Sequence, residues 1–456
     1  MHVAIVGNGV AGFTAALELR RLDPDCRITM ISGESTYPYS RPALMYVFMG
    51  HMRYQETKPF EDRTWAEQRI ELRRAWVTKV DTAAKRLELH EGEPLSYDKL
   101  LLATGSHSNT FGWPGQDLPG VQGLYGLMDL KALYDNVQGA KQAVIVGGGL
   151  IGVELAEMLH AVGVHVTFLV REASYWSNVL PAEESAMVTR LIRAAGIDLR
   201  LNTELAEIHA GPNGRVGWVT TKAGERIDCQ LVGLTAGVRP NTQLCEGTPI
   251  ETGRGILVDR HLETSVDGVY AAGDCAEIVT EGERPRPVGG EPERLRREGE
   301  GAPERPPEER ARTLLQQVWY TGKAQGQCVA KSILGQPTEY DPGLWYNSAK
   351  FFDLEYQTYG FVHAEPQAGE TRGWWEHPDG GLGLRIVAED GAVTGFNAMG
   401  LRLRHRVCER WILERRSPAY VLEHLAEAGF DPEFARRHEP AIAAALAPQL
   451  GVEVTA

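Results

Sequence analysis

Apolar and polar positions along the first half of this chain set out one compound pattern twice. The run His2 to Val6 is a short apolar strand, and it leads through a glycine-rich turn into VAGFTAALEL, whose apolar positions follow the helical period. The same order returns 140 residues later, where Gln142 to Val146 leads into LIGVELAEML. Both turns read G-x-G-x-x-G, with Gly7, Gly9 and Gly12 in the first and Gly147, Gly149 and Gly152 in the second. The first glycine permits the tight turn, the second lets a pyrophosphate approach bare backbone, and the third lets the helix pack closely on the strand. Phosphate then meets the N–H groups and positive dipole end of the helix. Two bound nucleotides are expected.

The repeat extends past the turns. DKLLLATGS (Asp98 to Ser106) and CQLVGLTAGVRPN (Cys229 to Asn241) each close a half with an apolar strand and a small-residue turn. In each half a second strand (Arg27 to Ile31, His165 to Val170) and a polar hairpin-like region come before that closing strand. A later strand, Gly268 to Ala272, delivers Gly273 and Asp274 at its carboxyl end, where open parallel sheets bind ligands. Glu281 to Ala311 is almost entirely Glu, Arg, Pro and Gly, the composition of a disordered surface loop. TLLQQVWYTGKAQGQCVAKSIL then reads as helix. From about Tyr340 the pattern is β-rich, with a hairpin near Glu389 to Ala392, and helical segments follow. The expected fold class is α/β: two Rossmann-like dinucleotide-binding domains plus a C-terminal α+β domain. Their expected bounds are 1–115 with 255–338, 116–254, and 339–456.

Composition narrows this picture. At 456 residues and 43% hydrophobic content the chain suits a globular protein of two or three domains. No apolar stretch approaches the ~18 residues of a membrane span. The amino terminus lacks the basic flank of a signal peptide, so a cytoplasmic location is expected. A net charge of -14 disfavours a general nucleic-acid role. Six cysteines (Cys26, Cys229, Cys245, Cys275, Cys328, Cys408) show no metal spacing and read as reduced packing residues. No metal site is expected.

The set G-N-G-V-A-G, L-A-T-G at Leu102 to Gly105, G-G-G-L-I-G-V-E at Gly147 to Glu154, and Y-A-A-G-D at Tyr270 to Asp274 resembles the two-dinucleotide-binding-domain flavoproteins, the FAD-containing, NAD(P)H-using pyridine nucleotide oxidoreductases. The resemblance covers essentially the whole chain. It implies that the first unit and the segment around Asp274 hold FAD, and that the second unit holds NAD(P)H. By it, Gly7, Gly9, Val10, Ala11 and Gly12 would carry the FAD pyrophosphate and Glu34 the adenine-side ribose, with Val77 also on the FAD side. Asp274, beside Gly273, would accept from the ribityl chain, and Ala103, Thr104 and Gly105 would line the flavin. Gly147, Gly149, Leu150, Ile151, Gly152 and Gly237 would serve the second nucleotide.

The segment GESTYPYSRPALMYVFMG, residues 33 to 50, carries no cysteine, unlike the disulfide reductases and peroxidases of that superfamily. Its PY-x-RP-x-L run looks like that of ferredoxin and rubredoxin reductases, shared more loosely with apoptosis-inducing factor and nitrite-reductase flavin modules. Those relatives often continue with Ser-Lys, where this chain has Met45 and Tyr46. Arg41 would be a cation near the flavin or its phosphates, or a salt-bridge arginine of the surface. Glu154 would lie near the nicotinamide carboxamide, or be a first-turn helix carboxylate favoured by the dipole. Arg171 resembles the 2′-phosphate ligand of NADPH-dependent members and tilts the reading slightly towards NADPH. Glu172 beside it blurs that, and the second arginine of the pattern is missing at Ser177.

The resemblance thus implies an FAD-dependent NAD(P)H oxidoreductase that passes hydride from NAD(P)H to FAD and then electrons to an acceptor such as ferredoxin, rubredoxin or a small molecule, without a redox-active disulfide. No acid, base or nucleophile triad is called for. A redox-sensing or assembly flavoprotein like apoptosis-inducing factor is the alternative. In GLRLRHRVCERWILERR, Arg402, Arg406 and Arg410 fall on one helical face, with Val407, Trp411 and Ile412 on another. That stripe either docks an acidic one-electron carrier or is the solvated side of an amphipathic helix. Monomer and homodimer both remain open.

Overall fold

In the computed structural model, residues 1–280, 313–430, 433 and 436–454 are described. The loop expected from Glu281 to Ala311 lies outside them. The chain packs as two compact units: Met1–Ser108 with Tyr125–Lys131 and Val238–Pro342, and Asn109–Leu124 with Ala132–Gly237 and Gly343–Ala456.

The core of the first unit is a five-stranded parallel sheet in the order Val269–Ala271, Lys99–Leu102, His2–Val6, Arg27–Ser32, Ile70–Arg74. Its central strands are continuous apolar runs, as a parallel sheet buried on both faces requires. Helix Val10–Leu22 packs on helix Trp319–Ile333 at very short range. Gly326 makes that approach possible, since a Cβ there would stand 2.6 Å from Ala11 O. The polar hairpin region is a three-stranded antiparallel sheet, Val77–Asp81, Arg86–Leu89 and Leu95–Ser96. One expectation fails here. The segment beginning at Thr313 does not start as helix: Thr313–Leu315 is a strand paired antiparallel with Ala276–Val279, and the helix begins only at Trp319. A free strand edge supplies backbone partners that outweigh the local helical period.

The second unit repeats the arrangement. Its five-stranded parallel sheet runs Asp198–Arg200, His165–Leu169, Gln142–Val146, Leu231–Leu234, Val121–Gln122, the same order of first, second, third and closing strands. A three-stranded antiparallel sheet again precedes the closing strand. The carboxyl-terminal part adds a five-stranded sheet in the order Tyr346–Phe351, Leu354–Gly360, Ala392–Met399, Gly383–Glu389, Glu370–Glu376. Its expected hairpin is present: Glu389 faces Ala392 across Asp390 and Gly391, both at positive φ, as a primed two-residue turn demands. Arg385 on this sheet is buried against Glu184 of helix Ala182–Ala194, with Nε donating to Oε1 at 2.6 Å and Nη2 to Oε2 at 2.8 Å. Removing either partner would strand a buried charge.

Helix His405–Leu413 follows, with Cys408 and Trp411 buried. Arg402 precedes this helix and is not on its face: it pairs with Glu355, while Arg410 pairs with Glu427. Two of the three cations of the expected stripe are thus paired with carboxylates, and Arg406 is exposed on the side of the helix away from the buried Cys408 and Trp411. Among the described residues, no helix is long and apolar enough to cross a membrane.

Candidate functional site

Both glycine turns are fastened to their sheets in one way. Gly7 N donates to Ile31 O and Ala103 N to Val6 O, each at 2.8 Å; in the second turn Gly147 N donates to Leu169 O at 3.1 Å and Thr235 N to Val146 O at 2.9 Å. Gly7 and Gly147 adopt φ of 111° and 115°, and a Cβ there would stand 2.0 Å from Ala103 O and 2.7 Å from Ala236 N. A Cβ on Gly12 or Gly152 would strike the carbonyl of Gly7 or Gly147 at 2.0 or 2.4 Å. The middle glycines behave differently. A Cβ on Gly9 or Gly149 would meet nothing within 4 Å. Each therefore opens onto free space at the start of a helix, Val10–Leu22 or Leu150–Ala161, whose first turn carries no acidic residue and whose N-cap makes no side-chain bond. Val10, Ala11, Leu150 and Ile151 sit at these positive ends, with no first-turn carboxylate competing for an anion. Two diphosphate cradles fit this backbone.

Around the first cradle the structure assembles most of the residues singled out from sequence. Asn8 Nδ2 donates to Ser35 O at 2.9 Å, tying the turn to the loop after the second strand. Gly273 N donates to Gln325 Oε1 at 2.7 Å, which presents Asp274 at the strand end. Burial pushes the Asp274 carboxyl up, against the pull of the Tyr125 hydroxyl, which donates to it at 2.9 Å, and of the Arg41 charge. The same Tyr125 oxygen accepts from Ser106 N at 3.0 Å, and Gly105 takes φ 69° beside it. Thr104 Oγ1 donates to Asn241 O at 2.7 Å, and Asn241 Nδ2 returns a bond to Thr104 O at 2.8 Å. Ala103 is the residue whose carbonyl abuts Gly7.

Glu34 and Arg41 are brought together as an ion pair. Arg41 Nη2 lies 2.7 Å from Glu34 Oε2, Leu127 N donates to Oε1 at 2.6 Å, and the guanidinium rests against the rings of Tyr39 and Tyr125. Burial alone would raise the Glu34 carboxyl, but Arg41 and these hydrogen bonds hold it below its ordinary range. Val77, half-buried, opens the antiparallel sheet next to Trp76.

The second cradle has a different rim. Glu154 lies beyond the first turn of its helix, which overturns the first-turn reading. Burial, aided by the Glu157 charge, pushes its carboxyl up to about 7. Glu157 itself meets Lys350 Nζ at 3.1 Å. Tyr175, fully buried, donates its hydroxyl to Gly149 O at 2.7 Å. At the end of the second strand Val170 is buried and Arg171 turns outward with its side chain 74% exposed, held by Glu172 at 2.8 Å. Glu172 Oε2 stands 3.6 Å from a Cβ built on Gly148, over the turn itself. Gly237, at φ 89°, approaches Asn109.

Sequence reasoning missed Tyr125, Asn241, Tyr175 and Asn8. Tyr125 and Tyr175 are recruited by tertiary contact from segments without periodic signal, while Asn8 and Asn241 lie within recognised segments but act through side-chain bonds to distant partners. All six cysteines are buried and unpaired, and burial pushes the Cys229, Cys245 and Cys408 thiols up to about 12. No cysteine occurs between Cys26 and Cys229, so the loop after the second strand holds no redox pair.

With this geometry in view, residues 1–296 match the family model described as pyridine nucleotide-disulphide oxidoreductase. The chain is 34% identical over 276 residues to the benzene 1,2-dioxygenase system ferredoxin–NAD(+) reductase subunit of Pseudomonas putida, covering 60% of this chain and 67% of that one. It is 28% identical over 451 residues to rhodocoxin reductase of Rhodococcus erythropolis, covering 96% and 95%. Among solved structures, the ferredoxin reductase for the CYP199A2 system from Rhodopseudomonas palustris superposes with a TM-score of 0.73 at 25% identity, covering 88% and 91%. Two parallel nucleotide-binding sheets, two open glycine cradles and a match over most of the chain agree: this protein belongs to the pyridine nucleotide-disulphide oxidoreductase family, as an oxidoreductase that uses FAD and NAD(P)H.

Proposed function

We propose that this chain is a cytoplasmic NADH-dependent reductase of a small one-electron carrier, a ferredoxin or rubredoxin. The observation that carries the reading is the duplicated open cradle, at Gly9 and at Gly149, each with its own polar rim. Residues 1–115 with 255–338 would form the FAD half, 116–254 the NADH half and 339–456 a further domain. FAD, when bound, accepts two electrons as hydride and releases them singly, which is the chemistry a one-electron carrier needs. The protein's part is placement and charge. Val10, Ala11 and Gly12 would receive the FAD pyrophosphate at the helix end, and Asp274 a ribityl hydroxyl. Ala103, Thr104 and Gly105 would line the flavin, with Thr104 held by Asn241. Glu34 would act through its pair with Arg41, setting one fixed charge of each sign beside Tyr125, which bonds Asp274, and Val77 would lie on the FAD side. Leu150, Ile151 and Gly152 would receive the NADH pyrophosphate, Glu154 would approach the carboxamide, and Gly237 would leave room for the nicotinamide side.

The coenzyme reading shifts from NADPH to NADH on one geometric point. A 2′-phosphate arriving at the second turn would meet Glu172, while Arg171 is already paired with that same carboxylate. A free 2′-hydroxyl can donate to it instead. The names of the matched relatives, ferredoxin and rubredoxin reductases that use NAD(+), support both donor and acceptor. Burial of every cysteine without pairing accords with a reducing compartment.

The test is NADH oxidation by the FAD-loaded protein with purified ferredoxin, rubredoxin, quinone or oxygen as acceptor. Turnover that is fast with an iron–sulfur carrier and slow with the others supports the reading. Slow turnover with all, together with a long-lived charge-transfer band, would favour the sensor alternative.

A further inference from the structure

Resting on the FAD reading of the first cradle, we infer that Trp76 is the shelf on which the adenine of FAD stacks. Trp76 joins strand Ile70–Arg74 to strand Val77–Asp81, and its backbone is fixed on both sides: Ala75 N donates to Ser32 O at 3.1 Å, and His90 N to Trp76 O at 2.8 Å. The side chain lies over Gly33. A Cβ on that glycine would stand 2.1, 2.4 and 2.6 Å from Cδ2, Cε2 and Cε3, the atoms at the middle of the indole bicycle. Gly33 therefore meets a ring face, not an edge, and any side chain at position 33 would push the indole away. Trp76 is 59% exposed, although an indole is among the largest apolar surfaces a chain can bury.

Its location gives that exposure a purpose. Gly33 follows the carboxyl end of strand Arg27–Ser32, which the Gly7 turn joins through Gly7 N to Ile31 O at 2.8 Å. Asn8 of that turn is bonded in turn to Ser35, two residues past Gly33. In a nucleotide-binding parallel sheet the adenosine extends from the glycine turn past the end of the second strand. The indole thus stands where a purine arrives, over Gly33 and next to Val77 in the chain. A purine is a flat aromatic heterocycle, and stacking on an aromatic side chain contributes about 1–3 kcal/mol per base. Neither charge nor proton transfer is needed. The shelf recognises the base, while the cradle at Gly9 takes the diphosphate.

The experiment removes FAD and titrates the apoprotein with FAD and, separately, with riboflavin 5′-diphosphate, which keeps flavin and diphosphate but lacks adenosine. Binding is read from flavin and tryptophan fluorescence. Trp76→Leu, which keeps apolar bulk, should raise the FAD Kd about tenfold and leave the riboflavin diphosphate Kd within about twofold. Trp76→Phe should stay within about threefold of wild type for both. An unchanged FAD Kd in the leucine variant, or equal weakening of both flavins, overturns the shelf. Failure of the wild-type protein to bind FAD at all would instead overturn the FAD reading on which it rests.

Discussion

The two glycine turns share one backbone and differ in the charges built around it. At the first, Glu34 is held ionised by its pair with Arg41, while Asp274, pushed up by burial, accepts a hydrogen bond from Tyr125. At the second, Glu154 carries a raised carboxyl pKa of about 7, and the closest lysine contact goes to Glu157. A site with an acid matched by a cation of the same chain, as Glu34 is by Arg41, suits a cofactor that stays. One with an acid poised near neutrality suits a co-substrate that comes and goes. The two turns thus offer the same backbone to a phosphate, and on the proposed reading the rim is what distinguishes a resident cofactor from a co-substrate.

Breaking one turn at a time should separate the two sites most sharply. Gly12→Val should abolish FAD retention, lowering affinity by more than about a hundredfold, because its side chain must displace the Gly7 carbonyl. Gly152→Val should keep the flavin's visible absorbance and lose nucleotide-driven bleaching to the same extent. If both variants lost flavin equally, the turns would not be independent sites.

A smaller effect concerns pH. Burial lifts Glu154 from 4.5 to about 7, so the folded protein holds a proton that the unfolded chain releases between those values. Stability from this group is therefore full below pH ~4.5, falls as pH rises to ~7, and is level above. Glu154→Gln should leave urea stability at pH 4.5 unchanged and raise it at pH 8 by up to about 3 kcal/mol. Equal stabilisation at both pH values would contradict the shift.

Asp274→Ala should cost about 2 kcal/mol in FAD binding, or roughly thirtyfold in Kd, since it removes a buried acceptor, the one to which the Tyr125 hydroxyl donates. Isothermal titration of the apoprotein measures this. Glu172→Gln should free Arg171 and lower the NADPH-to-NADH Kd ratio about tenfold. An unmoved ratio would remove Glu172 from coenzyme choice. At the small end, Arg402→Gln with Arg410→Gln should change reduction of an acidic carrier by less than about twofold at low salt, because both cations are already paired. A tenfold loss would reinstate that face as a docking surface.

The parallel sheets and both cradles were legible because strand, turn and helix there are contiguous, so periodicity and glycine spacing carry the signal locally. Asp274 was legible for the same reason, as the end of an apolar strand. Tyr125 was not: it reaches Asp274 across 149 residues of sequence, and nothing in GVQGLYGLMD marks it. Arg402 misled because helical spacing was extended past the true start of the helix at His405. Thr313–Leu315 misled because strand pairing depends on a distant edge. The NADH proposal rests on side-chain direction, which puts Arg171 outward and Glu172 inward, and residue order alone does not determine that.

The most direct measurement is anaerobic stopped-flow mixing of the FAD-loaded protein with NADH and, separately, with NADPH, followed at the flavin's visible band. The account predicts rapid bleaching with NADH and at least tenfold slower bleaching with NADPH. No bleaching with either nucleotide would contradict the claim that the second cradle delivers a reductant to the first.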